Sequence, residues 1–441
     1  MTTQNIEFSN QDRIKKIEPS QEPVSFEQWR EIIKVNFPEL LFAAEVGLAI
    51  IAQLLINDVT NPFALVLVDV PSSGKTITIN FFSEIEGLTY ATDKFTPASF
   101  VSSAANVAKD KLKDIDLLPR IRYKLFLIRD LSTLFSKRDD DLSECLGLLT
   151  RVLDGEGLNT DSGIHGQRQY VGEYLFMILA ASTPIPPRVM KMMGSLGSRL
   201  FFLNINSRDK SEKELADQLT STAYKQKELV CRTATKSFLQ TLWSQNQLGI
   251  NWDKSQDNME CNLIIARCAM LLARLRGVVQ VWKDQSLDGS DFGHNMPVKE
   301  KADRISQQFY NLCRSHAVVC GRRQVTEEDL RLIIELAIDS APTMRAKLLR
   351  KLIEFKGTMM TSEVEVALDC SKPTALKEME ILRALNVCKV TQTSTGLVGE
   401  PEKAITLSED FIWFLSDECN RIRGRVVPVE PKPDTVSETL N

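Results

Sequence analysis

The chain is poor in the residues that hold catalytic metals, and it carries no pattern that would address it to a membrane. Only three histidines occur in 441 residues (His165, His294 and His316), and none stands in an HExxH arrangement. That argues against a catalytic metal held by histidines. Nine cysteines, an odd number, are scattered without a CxxC pair. Neither a zinc ribbon nor a disulfide framework is indicated, and the thiols read as reduced. Cys261 and Cys268, and again Cys313 and Cys320, lie seven apart. This spacing suits packing on helices, where a free cysteine behaves as a small buried hydrophobe, with metal ligation as the alternative. The N-terminus has no basic-then-apolar signal pattern. Residues 40–56, the most apolar stretch, are few for a bilayer, include Glu45, Gly47 and Gln53, and run straight into a strand. They read as a buried helix, so no membrane contact and a cytoplasmic location are expected. A net charge of -4 excludes a general coat of basic surface for nucleic acid, while leaving room for a local patch.

The chain is too long for one core, so two or three units are expected. A hydrophobic share of 43% beside a charged share of 25% is that of a soluble globular chain.

The stretch that organises the rest is residues 64–82, ALVLVDVPSSGKTITINFF. An apolar run of strand type (Leu65, Val66, Leu67, Val68) feeds a tight turn, Pro71-Ser72-Ser73-Gly74, and a run with helical spacing follows at once. A phosphate-binding loop has this plan. Backbone N–H groups of the turn, with the positive end of the following helix, make a site for anionic phosphate. In such a loop Lys75 would reach the β and γ phosphates of a nucleotide, and Thr76 would present its hydroxyl to Mg²⁺. One position departs from the signature. Asp69 stands where the pattern has glycine, so the turn must tolerate a carboxylate near phosphate.

Before this loop, residues 1–25 read as a loosely ordered polar arm, and a first amphipathic helix follows with Phe26, Trp29, Ile32 and Ile33 on one side. After it, residues 123–128 form a buried strand ending in Arg129-Asp130. An acidic residue at such a strand end can reach Mg²⁺ or the attacking water. The usual pair there is Asp-Glu, and Arg129 cannot ligate metal. Asp130 therefore takes the metal role with a one-residue shift, or orients water, or simply caps the next element. A helix over residues 143–153 stops at Asp154-Gly155-Glu156-Gly157. The Gly-punctuated residues 158–173, with Arg168 near the middle, suggest a β-hairpin. A strand over 174–180 then closes on Thr183, placed to sense the γ-phosphate or the water, or else to satisfy strand-end backbone. Arg199 stands just before a fifth apolar strand, where an arginine can be presented to a neighbouring subunit's nucleotide.

This order of parts resembles the AAA+ ATPases over about residues 38–340, most closely the branch containing the minichromosome-maintenance replicative helicases. The matching segments are PSSGKT, LFLIRD, the helix, hairpin and strand up to ILAASTP, SRLFFL and VTEEDLRLIIELAIDS. The resemblance implies an α/β fold with a parallel sheet flanked by helices and a helical lid. It implies a sensor role for Thr183, a trans-acting finger at Arg199, a second sensor at Arg304 in the lid, and Asp130 and Thr76 as metal contacts. It implies ATP and Mg²⁺ as cofactors, a hairpin that turns Arg168 toward a central channel, and a ring or partial ring of copies. Departures at Asp69 and Arg129 bear on the rate of hydrolysis more than on binding.

Residues 261–323 carry ten Lys/Arg against five acids, a surplus that can face nucleotide, DNA or solvent. Beyond residue 343, three short helices and two strands read as a winged helix-turn-helix, resembling bacterial repressors over TSEVEVALDCSKPTALKEMEILRALNVCKV. Its third helix would present Ser371, Lys372, Thr374 and Lys377 to the DNA major groove. The module is nearly neutral, thirteen Lys/Arg against twelve acids over residues 343–426, which keeps a protein-docking role open. The expected layout is an arm and helix (1–37), an AAA+ core (38–207), a helical lid (208–342), the winged helix (343–426) and a disordered tail (427–441). The leading functional expectation is an ATPase that couples ATP binding and hydrolysis to DNA remodelling or replication in a mobile or accessory element. The alternatives are an ATP-gated DNA-binding switch with little turnover, and a signalling ATPase whose winged helix binds protein.

Overall fold

Burial on both faces explains why the central strand is apolar at every position. In β1 (Phe63–Val68), Ala64, Val66 and Val68 pack into one core cluster while Leu65 and Leu67 pack into another. A strand covered on both sides has no polar face to show. The structure is a computed structural model that describes residues 13–102, 111–162, 166–197, 199–205, 208–220, 223–283, 292–393 and 402–424.

Along the chain, β1 is followed by β2 (Thr89–Thr92), β3 (Leu125–Ile128), β4 (Gly157–Ser162), β5 (Gly166–Val171), β6 (Met177–Ser182) and β7 (Leu200–Asn204). Five of these form one sheet in the order β2-β3-β6-β1-β7, and every neighbouring pair is parallel. Helices cover both faces, giving a mixed α/β architecture. The helix Lys75–Phe81, which follows β1, sends Ile79 and Phe81 into the first core. The helix Pro187–Leu196, which follows β6, sends Val189 and Met193 into the second. The chain thus leaves neighbouring strands β1 and β6 toward opposite faces. Their carboxyl ends bound the crevice where open parallel sheets bind ligands.

The first helix, Phe26–Asn36, starts at Ser25 with a capping box to Gln28 and buries Phe26, Trp29 and Ile33. The segment Pro38–Leu55 is apolar and long enough to cross a membrane by composition, yet 78% of it is buried inside the protein. The expected loose arm is tied down from Arg13 onward. Its guanidinium donates to the carbonyls of Ile56 and Val59 at 2.7 and 2.5 Å and meets Glu173 at 3.2 Å. These long-range acceptors have no local signature; residues 1–12 lie outside the described set, as does the expected tail, 427–441.

Helices Ala223–Gln245, Met259–Leu275, Asp303–Val319 and Glu327–Asp339 build the helical layer against the first core. Between them β8 (Val281–Lys283) and β9 (Phe292–His294) pair antiparallel. The C-terminal part has helices Thr343–Glu354, Thr361–Leu368 and Lys372–Ala384. A sheet of β10 (Thr358–Met360), β11 (Cys388–Thr393) and β12 (Glu402–Leu407) completes it, in the order β10-β12-β11. β10, only three residues long, had no readable alternation in the sequence.

Candidate functional site

The turn after β1 has the backbone of an anion cradle. Ser72 and Gly74 take positive φ, 67° and 92°, the left-handed turns from which backbone anion sites are built. A side chain at position 74 would strain that backbone and meet Leu40 Cδ2 at 2.9 Å, which is why glycine stands there. The helix that follows has only seven residues, so an anion at this turn would meet chiefly the loop and Lys75.

Lys75 is buried and folded across the mouth of the loop. Its Nζ donates to the carbonyls of Asp69 (2.8 Å) and Val70 (2.6 Å) and to Ser73 Oγ (3.1 Å). Burial lowers the pKa of its ammonium, against the opposing pull of Asp69 and Asp130. Both carboxylates therefore stand within electrostatic reach of Lys75. The Asp69 carboxylate also accepts from the Val70 N–H at 2.7 Å, which is how the turn accommodates it.

Asp130 and Thr183 follow the ends of β3 and β6, beside the end of β1. They are drawn together by strand register, since Leu131 N–H donates to the Ala181 carbonyl at 2.8 Å. Asp130 accepts from Ser132 N–H and Oγ, both at 2.8 Å, at the first residue of the short helix Ser132–Phe135, whose N-cap position is Leu131. Arg129 turns aside to pair with Asp93 at 2.8 Å, past the end of β2. Thr76 and Thr183 are exposed, and Pro71 and Ser72 form the outer lip. The Thr76 hydroxyl and the Asp130 carboxylate are hard oxygen donors of the kind Mg²⁺ accepts.

Neither a family model nor a curated protein matches this chain.

The structure separates the remaining candidates from Lys75. Arg199 precedes β7, whose Leu200 lies opposite Ala64 at the start of β1. The length of β1, about 17 Å at the usual rise per residue, therefore lies between Arg199 and the turn that carries Lys75. Arg304 joins Arg199 at this far edge. Asp154 Oδ1 accepts from Arg199 Nε at 3.2 Å and from Arg304 Nη1 at 2.8 Å. The sequence showed Asp154 only as part of a helix stop; its two partners are distant in the chain, and no local spacing signals them.

Arg168 does not face outward as expected. In β5 it shares the inward face with Tyr170, while Gln167 and Gln169 point out, because side chains alternate along a strand. Its guanidinium pairs with the fully buried Asp116 and donates to the Ser102 carbonyl. Tyr170 Oη also donates to Asp116.

In the C-terminal part, Ser371 is the N-cap of the third helix, its Oγ 3.1 Å from Thr374 Oγ1. Ser371, Lys372 and Lys377 are exposed and Thr374 half-buried. Glu402 stands close enough to Lys372 to feel its charge, which reduces the local positive field. On the same helix Glu380 is held by Arg383 at 2.6 and 2.7 Å and lies 3.6 Å from His294 of β9. The thiols of Cys261, Cys268 and Cys313 lie buried in the core, in keeping with a packing role.

Proposed function

We propose that this chain is an ATPase of the AAA+ type that acts on DNA as an assembly of several copies. The observation that carries the reading is the loop of Ser72, Gly74 and Lys75 at the crevice between β1 and β6, with Asp130 and Thr183 on the flanking strand ends. Phosphate entering the loop would take the Lys75 ammonium from neutral carbonyls and give it a charge-assisted partner. Thr76 and Asp130 would hold Mg²⁺, which neutralises charge on the β and γ phosphates when bound. Thr183 would orient the attacking water or the γ-phosphate. Arg199, a sheet's length from its own loop, would serve the nucleotide of a neighbouring copy. The C-terminal three-helix unit would act as a winged helix, touching DNA through Ser371, Lys372, Thr374 and Lys377. A cytoplasmic setting is part of the same reading.

A second reading, an ATP-gated DNA-binding switch with little turnover, is favoured by the Arg129–Asp93 pair and by the engagement of both Asp130 oxygens with Ser132. Steady-state ATP hydrolysis by the full chain, with and without single- and double-stranded DNA and beside Lys75→Ala, separates the two. DNA-stimulated turnover that vanishes in Lys75→Ala supports the ATPase. Tight ATP binding without turnover supports the switch and overturns the first reading.

A further inference from the structure

We propose that Asp154 is a positioning residue that presents Arg199 and Arg304 as one paired cationic surface to the nucleotide phosphates of a second copy of this chain. The proposal rests on the ATPase reading above and adds to it a residue, and a partner for the arginine, that the reading does not contain.

Three guanidinium groups converge on this carboxylate. Arg199 Nε and Arg304 Nη1 donate to the same oxygen, and Arg151 Nη1 lies 3.8 Å from the other. Arg151 is in turn paired with Glu156 at 2.9 Å. Glu300, half-buried, is close enough to act on Arg199 electrostatically. Without Asp154, the Arg199 and Arg304 charges would repel each other at close range. Among the described residues, Arg199 would then keep its bond to the Gly197 carbonyl. With it, two groups from distant parts of the chain, the lead into β7 and the first turn of the helix Asp303–Val319, are held as a pair.

The carboxylate itself is fixed by backbone. Gly155 adopts φ +81° with the Thr60 carbonyl only 2.5 Å from where a Cβ would stand, and its own carbonyl accepts from Tyr174 N–H at 2.8 Å. Asp154 therefore cannot drift without disturbing the start of β1. The side chain of Arg199 is 13% exposed and that of Arg304 38%, so Arg304 forms the outer member of the pair and Arg199 backs it. An open cavity of about 510 Å³ borders their shared partner Asp154 and is lined also by Thr60, Asn61, Arg151, Glu156 and Glu173, though by neither Arg199 nor Arg304. It gives the edge a recess that an incoming surface can enter. The chain's own phosphate loop lies at the opposite sheet edge, so an anion that completes this pair must arrive on another molecule.

The test mixes subunits. Asp154→Asn alone is expected to lower kcat at least tenfold with little change in KM for ATP, because its own loop is intact. Lys75→Ala alone is expected to be inactive. Equal mixtures of the two should regain turnover above either alone, since the loop of one subunit then meets the intact Asp154, Arg199 and Arg304 of the other. The mixture of Lys75→Ala with Arg199→Ala is the control for the reading itself. If that control regains turnover and the Asp154→Asn mixture does not, or if Asp154→Asn turns over like the wild type, the proposal for Asp154 is overturned alone. If the control fails, or the wild type does not hydrolyse ATP, the ATPase reading fails and takes the proposal with it. Should Asp154→Asn not fold, Arg304→Gln, at the more exposed partner, carries the same mixing test with the same outcomes.

Discussion

His316 Nε2 lies 2.9 Å from Glu45 Oε1 while its Nδ1 lies 2.6 Å from Asp329 Oδ1, so one buried imidazole joins three helices. Glu45 comes from the apolar helix Leu41–Ala52 of the core, and Asp329 from Glu327–Asp339 of the helical layer. Arg322 closes the group with two bonds to Asp329, at 2.8 and 2.9 Å, and Arg30 lies 3.5 Å from Glu45. Cys320 Sγ, 3.8 and 4.0 Å from the two ring nitrogens, completes a set that has metal-ligand chemistry. Arg322 and the doubly bonded ring already satisfy it as an ion network instead.

The first prediction concerns pH. Burial alone would lower the pKa of His316, but its hydrogen bonds to Asp329, Cys320 and Glu45 outweigh it and hold the value well above 6.5. The folded value is raised, so this contribution is fully present below about pH 6.5 and is lost as pH rises through the folded pKa. Burial would raise the pKa of Glu45, and His316 overcomes that to hold it below 4.5, so its contribution is lost only as pH falls through that lowered value. His316→Gln is expected to cost about 3 kcal/mol near pH 6, and less at alkaline pH, because it leaves buried carboxylates uncompensated. Urea unfolding of both proteins at pH 6 and 9 checks this; an equal difference at the two pH values would contradict it.

Arg168 is predicted to matter for stability. Arg168→Ala leaves Asp116 buried with, among the described residues, the Ser102 N–H and the Tyr170 hydroxyl as its partners, a loss of about 3–5 kcal/mol. Chemical denaturation measures the loss, and duplex binding by the folded fraction is expected to be unchanged. A variant of full stability with impaired DNA binding would return Arg168 to the surface role read from the sequence.

Gly74→Ala is predicted to weaken ATP binding and lower the melting temperature together. The left-handed backbone costs about 1 kcal/mol for a residue with Cβ, and the methyl group presses on Leu40. Calorimetric titration with ATP and a thermal melt of the same sample provide the check. Wild-type values in both would show that the loop rearranges freely.

For the C-terminal helix, duplex DNA binding by the full chain should weaken with salt, and the Lys372→Ala, Lys377→Ala double variant should shallow the log–log slope by about 2. A wild-type affinity indifferent to salt would favour a protein partner for this unit.

Much of the core was legible because its signals are local. The run from Leu65 to Val68, the turn residues and Lys75 lie within a dozen positions, and the hairpin at β4 and β5 shows in its glycines. Contacts that join distant segments were not legible. Arg13 reaches carbonyls past residue 50, Asp154 collects Arg199 and Arg304, and Asp116 takes in Arg168; a polar pair made only in the folded state leaves no period in the sequence. The same limit explains Arg168: the hairpin was readable, but the face to which its arginine turned depends on strand register against a buried aspartate.

The join between Asp339 and Thr343 has a mechanical consequence. Asp339 Oδ2 accepts from Asn204 N–H at 2.8 Å, Ser340 Oγ accepts from Phe202 N–H at 2.9 Å, and Arg276 Nε donates to the Ser340 carbonyl at 3.2 Å. The last strand of the sheet is thus bolted to the hinge pin from which the C-terminal helices start. Arg345 adds a second fastening, to the carbonyls of Leu275 and Gly277. With no slack linker between them, a tilt of the sheet edge would carry the C-terminal unit with it as a crank carries its arm.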